Sequence, residues 1–214
     1  MAWFSGVITD RAVPAVVGTQ ALSVPNRIST AFLAPAHGDL IFRTGRGFWS
    51  PFFSAANKAH GYSHVGVVVL EGGGFFVLHA QADDFTLEGG VLKTPLETFL
   101  AESVNYIIKR NEMPGEAKVR FVTALEDMLG LKAGFDSQFT LEDRALKVYC
   151  TEFVWLAAQR AGVLDLGHIQ SLSDKAVILV DSIFESPRLG QSYKPESTWP
   201  WPLGPRPPLL FHNL

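Results

Sequence analysis

Apolar residues along this chain fall into short blocks separated by glycine, proline and polar turns. Residues 38–43 (GDLIFR) open on a Gly-Asp turn and predict a short strand. Residues 64–70 (HVGVVVL) and 75–81 (FFVLHAQ) flank the turn 71–74 (EGGG). Glycine supplies the positive φ values that a tight connection needs, so the two blocks predict a β-hairpin. Residues 104–110 (VNYIIKR) predict another strand. The period then becomes helical. In 116–131 it sets Val122, Leu125, Met128 and Leu129 on one face. In 150–162 (CTEFVWLAAQRAG) it does the same with Phe153, Val154, Ala157, Ala158 and Ala161, and Gly162 follows as a C-terminal cap. Residues 94–103 (TPLETFLAES) read as a short helix with Thr94 as N-cap, Pro95 first and Glu97 third, a capping box.

The ends break the pattern. The first 35 residues are irregular, and from residue 186 the chain turns Pro-rich and aromatic. That composition predicts an extended arm rather than a second domain, so residues 1–214 are read as one domain. A length of 214 residues suffices for a sizeable core, and 47% hydrophobic against 18% charged residues fits a globular chain. Net charge is −3 and the basic residues are scattered, which argues against a nucleic-acid partner. No apolar stretch approaches the ~18–20 residues of a membrane span. The N-terminus has no basic residue before Arg11 and is interrupted by Asp10 and Pro14, a poor secretory signal.

One cysteine, Cys150, excludes an internal disulfide and any multi-cysteine metal site. It opens the second helical segment, where free amides and the helix dipole favour an anion. That setting lowers a thiol pKa, and the same amides can hold a developing oxyanion. A lone cysteine is more often a small buried hydrophobe, so a role in catalysis needs a base and a group that orients it. The hairpin offers both. If Leu70 pairs with Phe75, His64 lies opposite Gln81, and His79 is its diagonal neighbour on the same face. Slipping the register by one residue would put the two histidines on opposite faces. In the favoured register His64 is the base and His79 the orienter, with Gln81 as the competing orienter. Asp39 after Gly38 reads as a turn residue with a minority chance of lining the site. Residues 136–143 (DSQFTLED) read as a solvated loop that positions the cysteine helix. His60 and His64 have the i, i+4 spacing of a zinc-binding helix, but Gly61 breaks any helix there, so no metal is expected. His37, His168 and His212 have no evident partners, and 45–49 (GRGFW) lacks a full phosphate-binding pattern.

Four stretches carry a resemblance: HGDLIFRTGRG, YSHVGVVV, FFVLHA and FDSQFTLEDRALKVYCTEFVWLAAQRAG. They resemble the circularly permuted papain-like cysteine hydrolases of the NlpC-type superfamily, the YiiX/YaeF-like group, over roughly residues 36–165. In that family the histidine precedes the cysteine, as here. The resemblance implies an α+β fold, a small antiparallel sheet or partial barrel packed against the helix that bears the cysteine. It makes Cys150 the nucleophile, His64 the general base and His79 the third member, with Tyr149 before the nucleophile as a site-lining residue. No cofactor is implied. Thr151 stands where the family usually has Ser, and His79 where many permuted relatives have Glu.

The superfamily's expected substrate is an amide bond of a peptidoglycan stem peptide, so the expected activity is that of an endopeptidase or amidase. Two alternatives are a lipid-directed acyltransferase or thioesterase, with Phe48, Trp49, Phe52 and Phe53 as an acyl groove, and an inactive papain-like binding module. A wall substrate beside a poor signal sequence fits a protein made in the cytoplasm and exported by a non-Sec route. One such protein is an antibacterial type VI secretion effector, with an immunity protein or secretion component as partner. A cytoplasmic amidase is the plainer alternative.

Overall fold

The structure is a computed structural model that describes residues 34–46, 57–83, 85–141, 146–172 and 174–195. In chain order the elements among these residues are β1 (Leu40–Gly45), β2 (His64–Glu71), β3 (Gly74–Ala82), β4 (Gly89–Pro95), α1 (Leu96–Ala101) and β5 (Ser103–Asn111). They continue with α2 (Gly115–Gly130), β6 (Gly134–Phe135), β7 (Lys147–Val148), α3 (Cys150–Arg160), β8 (Ile169–Leu172), β9 (Lys175–Ile178), α4 (Val180–Phe184) and β10 (Leu189–Tyr193). Eight strands make one curled sheet in the order β10-β5-β1-β2-β3-β4-β6-β7, while β8 and β9 form a separate hairpin. Within the large sheet all neighbours are antiparallel except β6 and β7. The fold is the expected α+β half-barrel with few helices.

The β2–β3 hairpin has the register that the sequence favours. Pairing runs from Glu71↔Gly74 through Leu70↔Phe75 to Val67↔Leu78. Its two turn residues, Gly72 and Gly73, have φ of 57° and 81°, the left-handed values that a two-residue turn requires at both positions.

Because side chains alternate along a strand, the sheet offers two different faces. Leu40, Phe42, Val65, Val67, Val69, Leu78 and Ala80 pack with Phe121, Val122, Leu125 and Met128 of α2 and Phe153, Val154, Ala157 and Ala158 of α3. The intervening residues Ile41, Val68, Val77 and Ile108 pack with Leu96 and Phe99 of α1 and with Tyr193. Leu129, expected on the buried face of α2, is only partly buried; Ala117, Phe121 and Ala124 complete that face instead. Helix α3 stops as expected. Gly162 has φ 79°, its N–H donates to Gln159 O and the Val163 N–H donates to Ala158 O. That crossed pair satisfies carbonyls the helix would otherwise leave open.

Two expectations are corrected. The capping box at Thr94 does not form: Thr94 pairs with Val77 inside β4, and α1 starts after Pro95 with no side-chain cap. The sheet claims Thr94 because strand pairing satisfies its backbone and leaves its hydroxyl free for a partner on β3. The chain from residue 186 is not all arm, since β10 pairs with β5 at the edge of the sheet. Tyr193 fixes it there through a hydrogen bond from its hydroxyl to Asp39 Oδ2 at 2.5 Å. The Pro-rich stretch beyond residue 195 and the first 33 residues lie outside the described residues.

Candidate active site

His64 is the first residue of β2, paired across the sheet with Arg43 of β1. Its Nε2 lies 3.0 Å from Nδ1 of His79, with the rings perpendicular and their centroids 5.1 Å apart. His79 continues the chain through Nε2 to Thr94 Oγ1 on β4 at 2.9 Å. Glycine at position 66 permits this closeness. A Cβ there would sit 2.5 Å from Val77 Cγ1, nearer than real side chains come, and a tight 3.2 Å from His79 Cβ. The Phe99 ring of α1 lies against both imidazoles, its centroid 5.8 Å from His64 and 5.1 Å from His79. Burial, then the neighbouring Arg43 charge, pushes His79 down to about 3. His64 is held well below the usual histidine range by burial first, then by Arg43 and His79. Both rings are therefore neutral in the resting site.

Cys150 is the first residue of α3 and follows Tyr149 in extended conformation. Backbone N–H groups of Val65, Thr151 and Cys150 itself hydrogen-bond its sulfur, so the thiol sits beside the start of β2, next to His64. Helix-start amides alone would favour thiolate. The structure reverses that expectation, because burial outweighs these hydrogen bonds and pushes the thiol up to about 11, although Cys150 keeps partial solvent contact.

Both neighbours of Cys150 grip one residue of β9. The Ile178 N–H donates to Tyr149 Oη at 2.9 Å, and Thr151 Oγ1 donates to Ile178 O at 2.6 Å. Tyr149, expected to line the site, is thus a buried clamp, its phenol raised above the usual range chiefly by burial. The loop 136–141 packs nearby as expected. Asp136 accepts N–H bonds from Gln138 at 2.9 Å and Thr140 at 2.6 Å, and this turn holds Phe139 at φ 54° against the Tyr149 ring.

The remaining candidates separate. Gln81 does not orient His64: its Oε1 accepts from Arg43 Nη2 at 2.8 Å. Asp39 stays out of the site. Its carboxylate, at the far end of β1 from Arg43, is fully buried and engaged by Arg110 at 3.1 Å, Tyr193, and the N–H groups of Ala36 and Asn111. His60 lies in a turn, stacked on Phe184 with its Nε2 3.2 Å from Glu185 Oε1. His37 accepts the Leu70 N–H, and His168 bonds Gln170. Among the described residues no three His, Cys, Asp or Glu side chains form a metal-sized group. Phe48, Trp49, Phe52, Phe53 and His212 lie outside the described residues, as do the ends of two stretches read above, 142–143 and 47–49.

Sequence reasoning missed Thr94, Phe99 and Arg43. Arg43 is buried on the histidine face, where its Nη1 donates to Phe99 O at 2.9 Å and Glu102 Oε2 at 3.0 Å. Spacing could not reveal it, because both faces of β1 are covered and a charge after Phe42 reads as a strand end.

A helix-borne cysteine beside a strand-borne histidine pair, with the histidines first in the chain, defines a permuted papain-like hydrolase. The chain belongs to the permuted papain-like amidase enzymes, the YaeF/YiiX, C92 family, whose model matches residues 34–191. Among solved structures the chain is similar to the metalloprotein yiiX of Escherichia coli O157:H7, with TM-score 0.63 and 23% identity over 76% of this chain and 98% of that one. No curated protein matches the chain. The protein is a papain-like cysteine hydrolase of the amidase type.

Proposed function

We propose that Cys150, His64 and His79 are the nucleophile, general base and orienter of this hydrolase, and that its substrate is an amide bond in a peptidoglycan stem peptide. The observation that carries the site is the His64–His79–Thr94 hydrogen-bond chain beside a thiol held by three backbone amides. His64 uses Nε2 on His79, which leaves Nδ1 as the nitrogen able to take a proton. For that, His64 Nε2–H donates to His79 Nδ1, and His79 Nε2–H donates to Thr94 Oγ1.

From the neutral resting pair, His64 takes the thiol proton as the sulfur attacks the carbonyl. The backbone amides at the start of α3 stabilise the oxyanion. His64 then gives the proton to the leaving amine, and water, activated by the same imidazole, releases the acyl group. The similar yiiX is described as a metalloprotein; among the described residues of this chain no three His, Cys, Asp or Glu side chains come together, and no step here is assigned to a metal.

A stem-peptide hydrolase acts where the wall is. We therefore extend the proposal to an antibacterial effector, delivered by a non-Sec route such as type VI secretion and paired with an immunity protein. Incubation with purified sacculi followed by mass spectrometry tests the substrate, and fragments of the stem peptide are expected. Intact sacculi together with cleavage of acyl esters would replace this reading with a lipid-directed one. Expression in a Gram-negative host tests the site of action. Lysis is expected only when a periplasmic signal is added, and not with Cys150→Ala; harmless periplasmic expression of active protein would overturn the effector role.

A further inference from the structure

Arg43 is an uncommon neighbour for a pair of catalytic histidines. It is only 4% exposed, and its backbone pairs with His64. Its side chain is held from three directions: Gln81 Oε1 on β3, Phe99 O on α1 and Glu102 Oε2 just after α1. The guanidinium carbon lies 4.0 Å over the Phe99 ring, the same ring that packs against both imidazoles. The charge is thus fixed in place, and its one counter-ion, Glu102, is half exposed on its outer side, where solvent weakens it. Arg43 Nε is buried without a hydrogen-bond partner among the described residues. Leaving a buried donor open is costly, so packing convenience does not explain an arginine here.

We propose that Arg43 is a positioning residue of the catalytic site, a fixed positive charge that favours sulfur and oxyanion charge and disfavours an imidazolium on His64 or His79. The inference rests on the reading of Cys150 and His64 as nucleophile and base. Its physical content is simple. The orienter at position 79 is neutral, and the charged group within the site's wall is cationic. The groups that face His64 are Arg43 from β1 and His79 from β3, with Phe99 from α1, while Cys150 of α3 takes the N–H of the next residue, Val65. None of these is an anion in the resting site. A cation there repels a proton on either ring and attracts negative charge as it builds on sulfur. It also keeps His79 an acceptor toward His64, the direction in which the base works.

Two readouts test this on the full-length protein without any substrate: nitrogen NMR titration of the imidazoles and the rate of Cys150 alkylation by iodoacetamide at fixed pH. Arg43→Met should bring at least one imidazole about one pH unit or more closer to the ordinary histidine range and slow alkylation about tenfold. Arg43→Lys, which keeps the charge, should restore both to within about threefold of the wild-type values. Glu102→Gln alters a half-exposed position and should move both readouts the opposite way, alkylation by about two- to threefold. A folded Arg43→Met protein with unchanged titrations and alkylation overturns the proposal. If that variant does not fold, unchanged readouts in Glu102→Gln overturn it. Failure to cleave sacculi would sink the substrate reading but would not move either readout.

Discussion

The two faces of the central strands are built from the same alternation yet do opposite work. On the face toward α2 and α3, Leu40, Phe42, Val65, Val67, Leu78 and Ala80 are apolar throughout and fully buried. On the other face Ile41, Val68 and Val77 begin as core under α1, and then Arg43, His64, His79 and Gln81 replace apolar residues toward one end. The first face stores stability. The second gives up part of its core for a polar network in which each change of hydrogen-bond direction changes chemistry. Cys150 joins the two: its helix packs on the apolar face, while its sulfur receives the Val65 N–H next to His64.

The sharpest break of this comparison is at the site. Cys150→Ala should abolish hydrolysis, and His64→Ala should cost about 10²–10⁴-fold in kcat/KM, both with melting temperatures close to wild type. A lost fold in either variant would mean that the polar end also stores stability. On the apolar face Phe153→Ala should do the reverse, removing about 3–5 kcal/mol of stability, read by denaturant unfolding, with kcat little changed in the fraction still folded. Phe153 is fully buried against both sheet and helix neighbours, so little relaxation is available to it.

The polar face also imposes a pH dependence that the apolar face lacks. Folded His79 lies at about 3, against an ordinary value of 6.5. Between those values the unfolded chain binds a proton that the folded chain does not, so stability should fall as pH drops below 6.5, by up to about 1.4 kcal/mol per pH unit for each such histidine. His64 adds to this in the same direction. At the alkaline end the sign is set by Cys150, raised from 9.0 to about 11: the unfolded thiol ionises first, so stability falls above pH 9. Alkylation of the folded thiol should keep rising past the pH at which a free cysteine levels off. Thermal unfolding across pH and an iodoacetamide rate profile check the two ends.

The smallest expected effects distinguish the members of the network. His79→Ala should lower kcat/KM by less than His64→Ala, and His79→Gln by less than His79→Ala, because an amide can still accept the imidazole proton. Thr94→Val should cost less again, about threefold to tenfold, since it loosens His79 rather than His64. Equal losses at positions 64 and 79 would show that the two rings share one role.

These contrasts follow how far the sequence could be read. The apolar face was legible because hydrophobic periodicity is what burial requires: the hairpin register, the strands around residues 40 and 107, and helices α2 and α3 all follow from it. The histidine pair was legible through the hairpin, since register alone decides whether positions 64 and 79 share a face. Arg43 and Thr94 were not. Each has a local reading that competes with its tertiary one, a strand-end charge for Arg43 and an N-cap for Thr94, and only the neighbouring strand decides. Asp39 and Tyr149 show the same limit. Their partners, Arg110 and Tyr193 in one case and Ile178 in the other, lie on distant strands that no local pattern announces.

The grip on Ile178 has a consequence in time. Tyr149 and Thr151 find their partner 29 and 27 residues further along the chain. During synthesis Cys150 leaves the ribosome flanked by two hydroxyls with nothing to hold, and the strand that carries Ile178 emerges only afterwards. Until then the two hydroxyls beside the sulfur lack their partner on β9, although Phe139, His64 and His79 have long been made. The order of synthesis thus withholds the clamp beside Cys150 until almost the whole sheet exists. A half-made chain carries Cys150, His64 and His79 without the clamp that fixes the start of α3.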